Sequence, residues 1–116
     1  MRFMMLVIPK GYESAKPGTM PEADAVARMM KYNEELQKAG VLLALDGLHP
    51  PSAGARVSFK GGKATASDGP FAEAKDLVGG YTLVNAKSLD EAAELTKGCP
   101  IFDRGGLVEV RPIMKM

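Results

Sequence analysis

Phe3 to Ile8 reads FMMLVI, six apolar residues without a break. In an extended chain successive side chains point to opposite faces. Phe3, Met5 and Val7 then share one face, Met4, Leu6 and Ile8 share the other, and both faces are apolar. Val41 to Leu45, VLLAL, repeats the pattern. Strands of this kind need cover on both sides, and that requirement decides how the rest of the chain is read.

Working outward, Gly11 to Gly18 is a loop. Thr19 and Glu22, three apart, have the spacing of a capping box, with Pro21 in the first turn. They predict a helix running to Ala39. Ala25, Met29, Tyr32 and Leu36 form its apolar stripe, widened by Val26 and Met30, and Gly40 stops it. After the second strand, Leu48-His49-Pro50-Pro51 breaks the ladder, because proline cannot donate to it. Arg56 to Lys60 and Lys63 to Ser67 flank Gly61-Gly62 and read as a hairpin on a two-residue loop. Asp68 to Val78 is a connection that has room for one helical turn at Ala72 to Lys75. Tyr81 to Asn85 is a strand. Ser88 and Glu91 form a second capping box before a shorter stripe of Leu89, Ala92, Ala93 and Thr96, which Gly98 and Pro100 end. Leu107 to Arg111 is the last strand.

The order β-α-β, hairpin, β-α-β predicts an α+β ferredoxin-like sandwich, with two helices on one face of a mostly antiparallel sheet. Two helices cover one face only. The second apolar face has no cover left in the chain, and leaving it wet would expose a patch beyond what monomers usually show. A homodimer burying on the order of 1,200 Å² or more is therefore expected.

The chain has 116 residues, one domain (1–116) by length, and a formal net charge of +1. No basic block is present, so nucleic-acid binding has no electrostatic support. One cysteine and one histidine exclude an internal disulfide and a Cys/His zinc site. No apolar run is long enough to span a bilayer, and the run after Arg2 leads into Pro9-Lys10 rather than a cleavage site. A soluble cytoplasmic protein is expected. No GxxxxGK[ST] or GxGxxG pattern occurs and no cofactor is implied.

The residues that could carry chemistry gather around Asp68 to Tyr81, DGPFAEAKDLVGGY. Asp68-Gly69-Pro70 is first a turn. Its functional reading puts Asp68 at a strand end beside Glu73, where paired acids could split their pKa values. Gly79-Gly80 allows close approach of another backbone or of a ligand, packing being the simpler reading. His49 follows a strand at a sheet edge, with Asp46 near it in sequence. Histidine is the side-chain type that ordinarily titrates near neutrality, although a lone one is more often solvated than catalytic. Arg111 is either an ion-pair partner of Glu109 or Asp103, or a clamp for a carboxylate. Cys99 before Pro100 reads as a small buried filler.

SDGPFAEAKDLVGGY (Ser67 to Tyr81), GLHPP (Gly47 to Pro51) and VEVRPI (Val108 to Ile113) resemble the YCII-related proteins, and within them the DGPF-domain branch. The opening RFMMLVI and the helix ending ELQKAGV fit as well. The resemblance covers nearly the whole chain. It implies a ferredoxin-like fold that dimerises sheet to sheet as a dimeric α/β barrel, which is the cover that the second apolar face requires. It also implies an Asp- and His-containing pocket, in a superfamily that includes isomerases, monooxygenases and dehalogenases. DGPF proteins are often linked with extracytoplasmic-function sigma factors. Branch members often carry glutamine in the His49 slot, which argues for a hydrogen bond there rather than a proton shuttle.

Two functions are therefore expected in order. The first is an enzyme acting on a small molecule, with Asp68 as base or orienting acid and His49 assisting. Arg111 would hold an anionic group, and Tyr81, Glu73 and Phe71 would line the site. The second is a non-catalytic regulatory or accessory protein acting with a sigma factor.

Overall fold

The FMMLVI run lies at the heart of the sheet. In the computed structural model, which describes residues 1–16, 18–68 and 77–115, it forms strand β1 (Arg2–Ile8). The elements that follow are α1 (Ala23–Lys38), β2 (Leu42–Gly47), β3 (Ala55–Lys60), β4 (Lys63–Asp68), β5 (Gly80–Asn85), α2 (Leu89–Thr96) and β6 (Leu107–Pro112). The main sheet has the order β2-β5-β1-β6, and its neighbours are all antiparallel. Strands β3 and β4 form a separate two-stranded hairpin. The main sheet with its two helices is the ferredoxin-like arrangement expected from the sequence, and the hairpin is inserted between its second and third strands.

Register fixes the faces. Phe3 lies opposite Val84 and Pro112, and Met5 opposite Thr82 and Val110. These side chains point to the helices. Phe3, Met5 and Val84 are buried with Tyr32 and Leu36 from α1, Ala92 from α2, and Ala86 and Cys99. The Tyr32 phenol donates to the carbonyl of Leu95 at 2.7 Å and so ties α1 to α2. Cys99 is a buried filler, its sulfur 3.9 Å from that of Met29.

Helix α2 begins as its sequence predicts, the Ser88 hydroxyl accepting from the Glu91 amide at 3.1 Å. Helix α1 does not. The Thr19 hydroxyl donates to the carbonyl of Lys16 at 2.6 Å, a local bond that competes with capping. The helix then starts three residues later, behind Glu22, with no side-chain cap. The stripes are also narrower than the periodicity suggests. Val26, Met30 (58% exposed) and Leu89 (51% exposed) face solvent, because each helix presents only one narrow line to the sheet.

Both glycines of the hairpin turn take positive φ, 59° at Gly61 and 79° at Gly62, as a two-residue loop requires. Gly79 shows why the GGY segment needs its glycines. A Cβ there would stand 2.6 Å from Pro9 Cγ and 2.8 Å from Pro9 Cδ, and one at Gly80 would stand 3.0 Å from the carbonyl oxygen of Asp46. Close packing of chain on chain accounts for the pair.

Candidate functional site

The face of the sheet turned away from the helices carries two cross-strand rows. One runs Ala44, Leu83, Met4, Arg111; the other runs Asp46, Tyr81, Leu6, Glu109. Its centre is apolar and half-buried, and its two edges are charged. Neither helix covers it.

On the β2 edge the Tyr81 phenol donates to Asp46 Oδ2 at 3.0 Å. That bond, together with the carboxylate's charge, pushes the phenol above the ordinary tyrosine range. Its proton is committed to Asp46, and its oxygen keeps lone pairs for a donor arriving from outside.

The chain beyond β2 is pinned from several sides. The Leu48 amide donates to the Gly79 carbonyl at 2.8 Å, and the Leu48 carbonyl accepts from the Tyr12 phenol. Pro50 is fully buried, and the Ser52 hydroxyl donates to the Ala15 carbonyl at 2.7 Å. His49, two residues beyond the end of the edge strand β2, therefore has a fixed backbone and is exposed. Burial pushes the Tyr12 phenol up as well.

Of the residues singled out in the sequence, Tyr81 and Arg111 share the open face, and His49 follows the end of the edge strand β2. Arg111 and the β2 edge, however, lie on opposite edge strands, three strand spacings or roughly 14 Å apart. Arg111 lies 3.9 Å from Glu109, while Asp103 pairs instead with Arg28. Asp68 is the last residue of β4, opposite Ala55 at the base of the hairpin; its carboxylate, like Phe71 and Glu73, lies outside the described part. Two contributors were not assigned from the sequence. Tyr12 carried no signal, and Asp46 was noted only as a neighbour of His49. Asp46 meets Tyr81 through the β2–β5 register, which joins positions 35 residues apart.

A separate depression of about 450 Å³ lies on the helix side, between Arg28, Lys31, Glu35, Lys97 and Phe102, over Cys99. Among the described residues, none of His49, Tyr81 and Arg111 lines it. Among the described residues no group of three or more His, Cys, Asp or Glu side chains is placed to hold a metal ion. No helix there is long and apolar enough to cross a membrane.

The chain belongs to the YCII-related domain family, whose profile matches residues 1–116. An uncharacterised protein of Rhizobium meliloti (strain 1021) is 36% identical over 95 residues, covering 81% of this chain and 72% of its own. Among solved structures, the fold is similar to that of 5-chloro-2-hydroxyhydroquinone dehydrochlorinase (TftG) from Burkholderia phenoliruptrix AC1100, in complex with 2,5-dihydroxybenzoquinone. The TM-score is 0.53 at 16% identity, over 98% of this chain and 94% of that one. At that identity the likeness speaks for the fold.

Proposed function

We propose that the chain is a small-molecule-binding homodimer, of the DGPF branch of its family, and an enzyme whose site lies at the β2 edge of the open sheet face. The observation that carries this reading is the Tyr81–Asp46 hydrogen bond of 3.0 Å on a surface the helices leave uncovered. A hydrogen-bonded phenol–carboxylate pair beside an apolar floor of Leu6 and Leu83 suits a small, flat molecule with polar edges. The apolar floor would bury the ring, and the pair would accept its hydroxyl or amine protons. Asp68 would act as base or orienting acid, and His49 would assist from beyond the end of β2. Glu73 and Phe71, in the connection that leads from Asp68 to β5, would line the site. Arg111 would reach this edge only from the second protomer, where it would hold an anionic group. The structural neighbour's quinone ligand is a molecule of the same general kind. A non-catalytic accessory role beside a sigma factor is the second reading, which an apolar sheet face left uncovered by the helices would also serve.

A thermal-shift screen against metabolites tests the first reading. A ligand at a hundred times its dissociation constant adds roughly 2.7 kcal/mol of stability. Asp68→Asn should keep the fold and lose that gain. Equal stabilisation of both proteins would remove Asp68 from the site, and a screen without any stabilising small molecule would favour the accessory role.

A further inference from the structure

Among the described residues, none is seen to pack on the apolar face of the β3–β4 hairpin. Val57 lies opposite Ala66 and Phe59 opposite Ala64, so all four share one side. Val57 is 67% and Phe59 72% exposed. The two strands pair closely with each other and make little contact with the other described helices and strands. The shape reflects this: the chain measures 47 × 38 × 19 Å, with a radius of gyration of 15.7 Å, against roughly 13 Å expected for a compact chain of this length. A lone two-stranded hairpin is marginal in water, so an arm of this kind needs a surface to lie on.

We infer that the hairpin is a dimerisation arm whose apolar face packs on a second copy of this chain. The inference rests on the proposed sheet-to-sheet dimer and adds to it. Four strands of about six residues present a face of roughly 400 Å². Two such faces bury roughly 800 Å² in total, short of the roughly 1,200 Å² at which specific stable interfaces begin. Each arm offers roughly 200 Å². Counted on arm and target and doubled by the two-fold axis, the arms bring the total to roughly 1,600 Å², the usual size of a specific interface. Charge agrees in sign. The hairpin carries Arg56, Lys60 and Lys63 against Asp68, a net +2 in a chain whose total is +1, so the remainder is −1. Because Asp68 stands at the base of the arm, the same contact would bring the proposed site to the subunit boundary.

The test compares the wild type with a Val57→Thr/Phe59→Ser double variant. Both side chains lie outside the core, so the variant should fold. Sedimentation equilibrium should show its dimer dissociation constant raised at least a hundredfold. Hydrogen exchange of the 55–68 amides in the wild type should slow as concentration rises through the dissociation constant. A wild-type protein that is monomeric at micromolar concentration overturns both the dimer and the arm. A wild-type dimer whose dissociation constant the double variant leaves unchanged overturns the arm alone. So does amide protection that is independent of concentration, which would mean that the chain's own residues cover the hairpin.

Discussion

Asp46 and Tyr81 stand directly opposite each other in the β2–β5 ladder, and the phenol of Tyr81 donates to Asp46 Oδ2 at 3.0 Å. The carboxylate both accepts the proton and repels the phenolate, so the pair holds Tyr81 protonated above its ordinary range. Asp46→Asn removes the charge and keeps the shape. The Tyr81 ionisation, followed by NMR of ring-labelled tyrosine, should then move down toward the ordinary value. An unmoved titration would mean that the bond is not populated in solution.

His49 separates a proton shuttle from a hydrogen-bonding side chain. Glutamine donates and accepts but does not titrate near neutrality. His49→Gln is expected to keep ligand binding, and any activity found, within a few-fold. General acid–base catalysis supplies roughly 10²–10⁴-fold. A folded variant that loses a hundredfold or more, together with one limb of its pH profile, would make His49 the shuttle.

Gly79 and Gly47 give a matched pair of glycine substitutions. A Cβ at Gly79 collides with the Pro9 ring, whereas one at Gly47 meets nothing within 4 Å. Gly79→Ala should destabilise by about 1–3 kcal/mol through overpacking, and Gly47→Ala by less than about 0.5 kcal/mol. Urea titrations read the difference directly, and equal midpoints would count against the close packing of Gly79 on Pro9.

Burial pushes the Tyr32 phenol well above its usual range, with further push from Cys99 and Glu35, and burial raises the Cys99 thiol too. The folded chain therefore keeps these protons to higher pH than the unfolded chain does. Their contribution to stability is intact at neutral pH and is lost as pH climbs past roughly 9. Tyr32→Phe should cost about 1 kcal/mol at pH 7 by losing the Leu95 bond, and should flatten the alkaline fall. An unchanged alkaline slope would assign that fall to other groups.

The sheet was legible because its signals are local. Unbroken apolar runs mark β1 and β2, Gly61-Gly62 marks the hairpin, and Ser88 with Glu91 marks the start of α2. Where two local bonds compete, as at Thr19, spacing picked the wrong one. The exposure of Met30 and Leu89 depends on how wide a groove each helix meets, which periodicity does not contain. The site was legible only in part for the same reason. His49 and Tyr81 declare themselves by type and position. The partnership of Asp46 with Tyr81, and the pinning of Leu48 by Tyr12, arise from register and packing between distant segments.

What covers the open face between Asp46 and Arg111 is tested most directly by the mass of the wild-type protein in solution. Multi-angle light scattering at micromolar concentration should give twice the 12.3 kDa of one chain. A mass of 12.3 kDa would leave Met4, Leu6 and Leu83 bare in solution and would contradict the dimer, the arm and the shared site together.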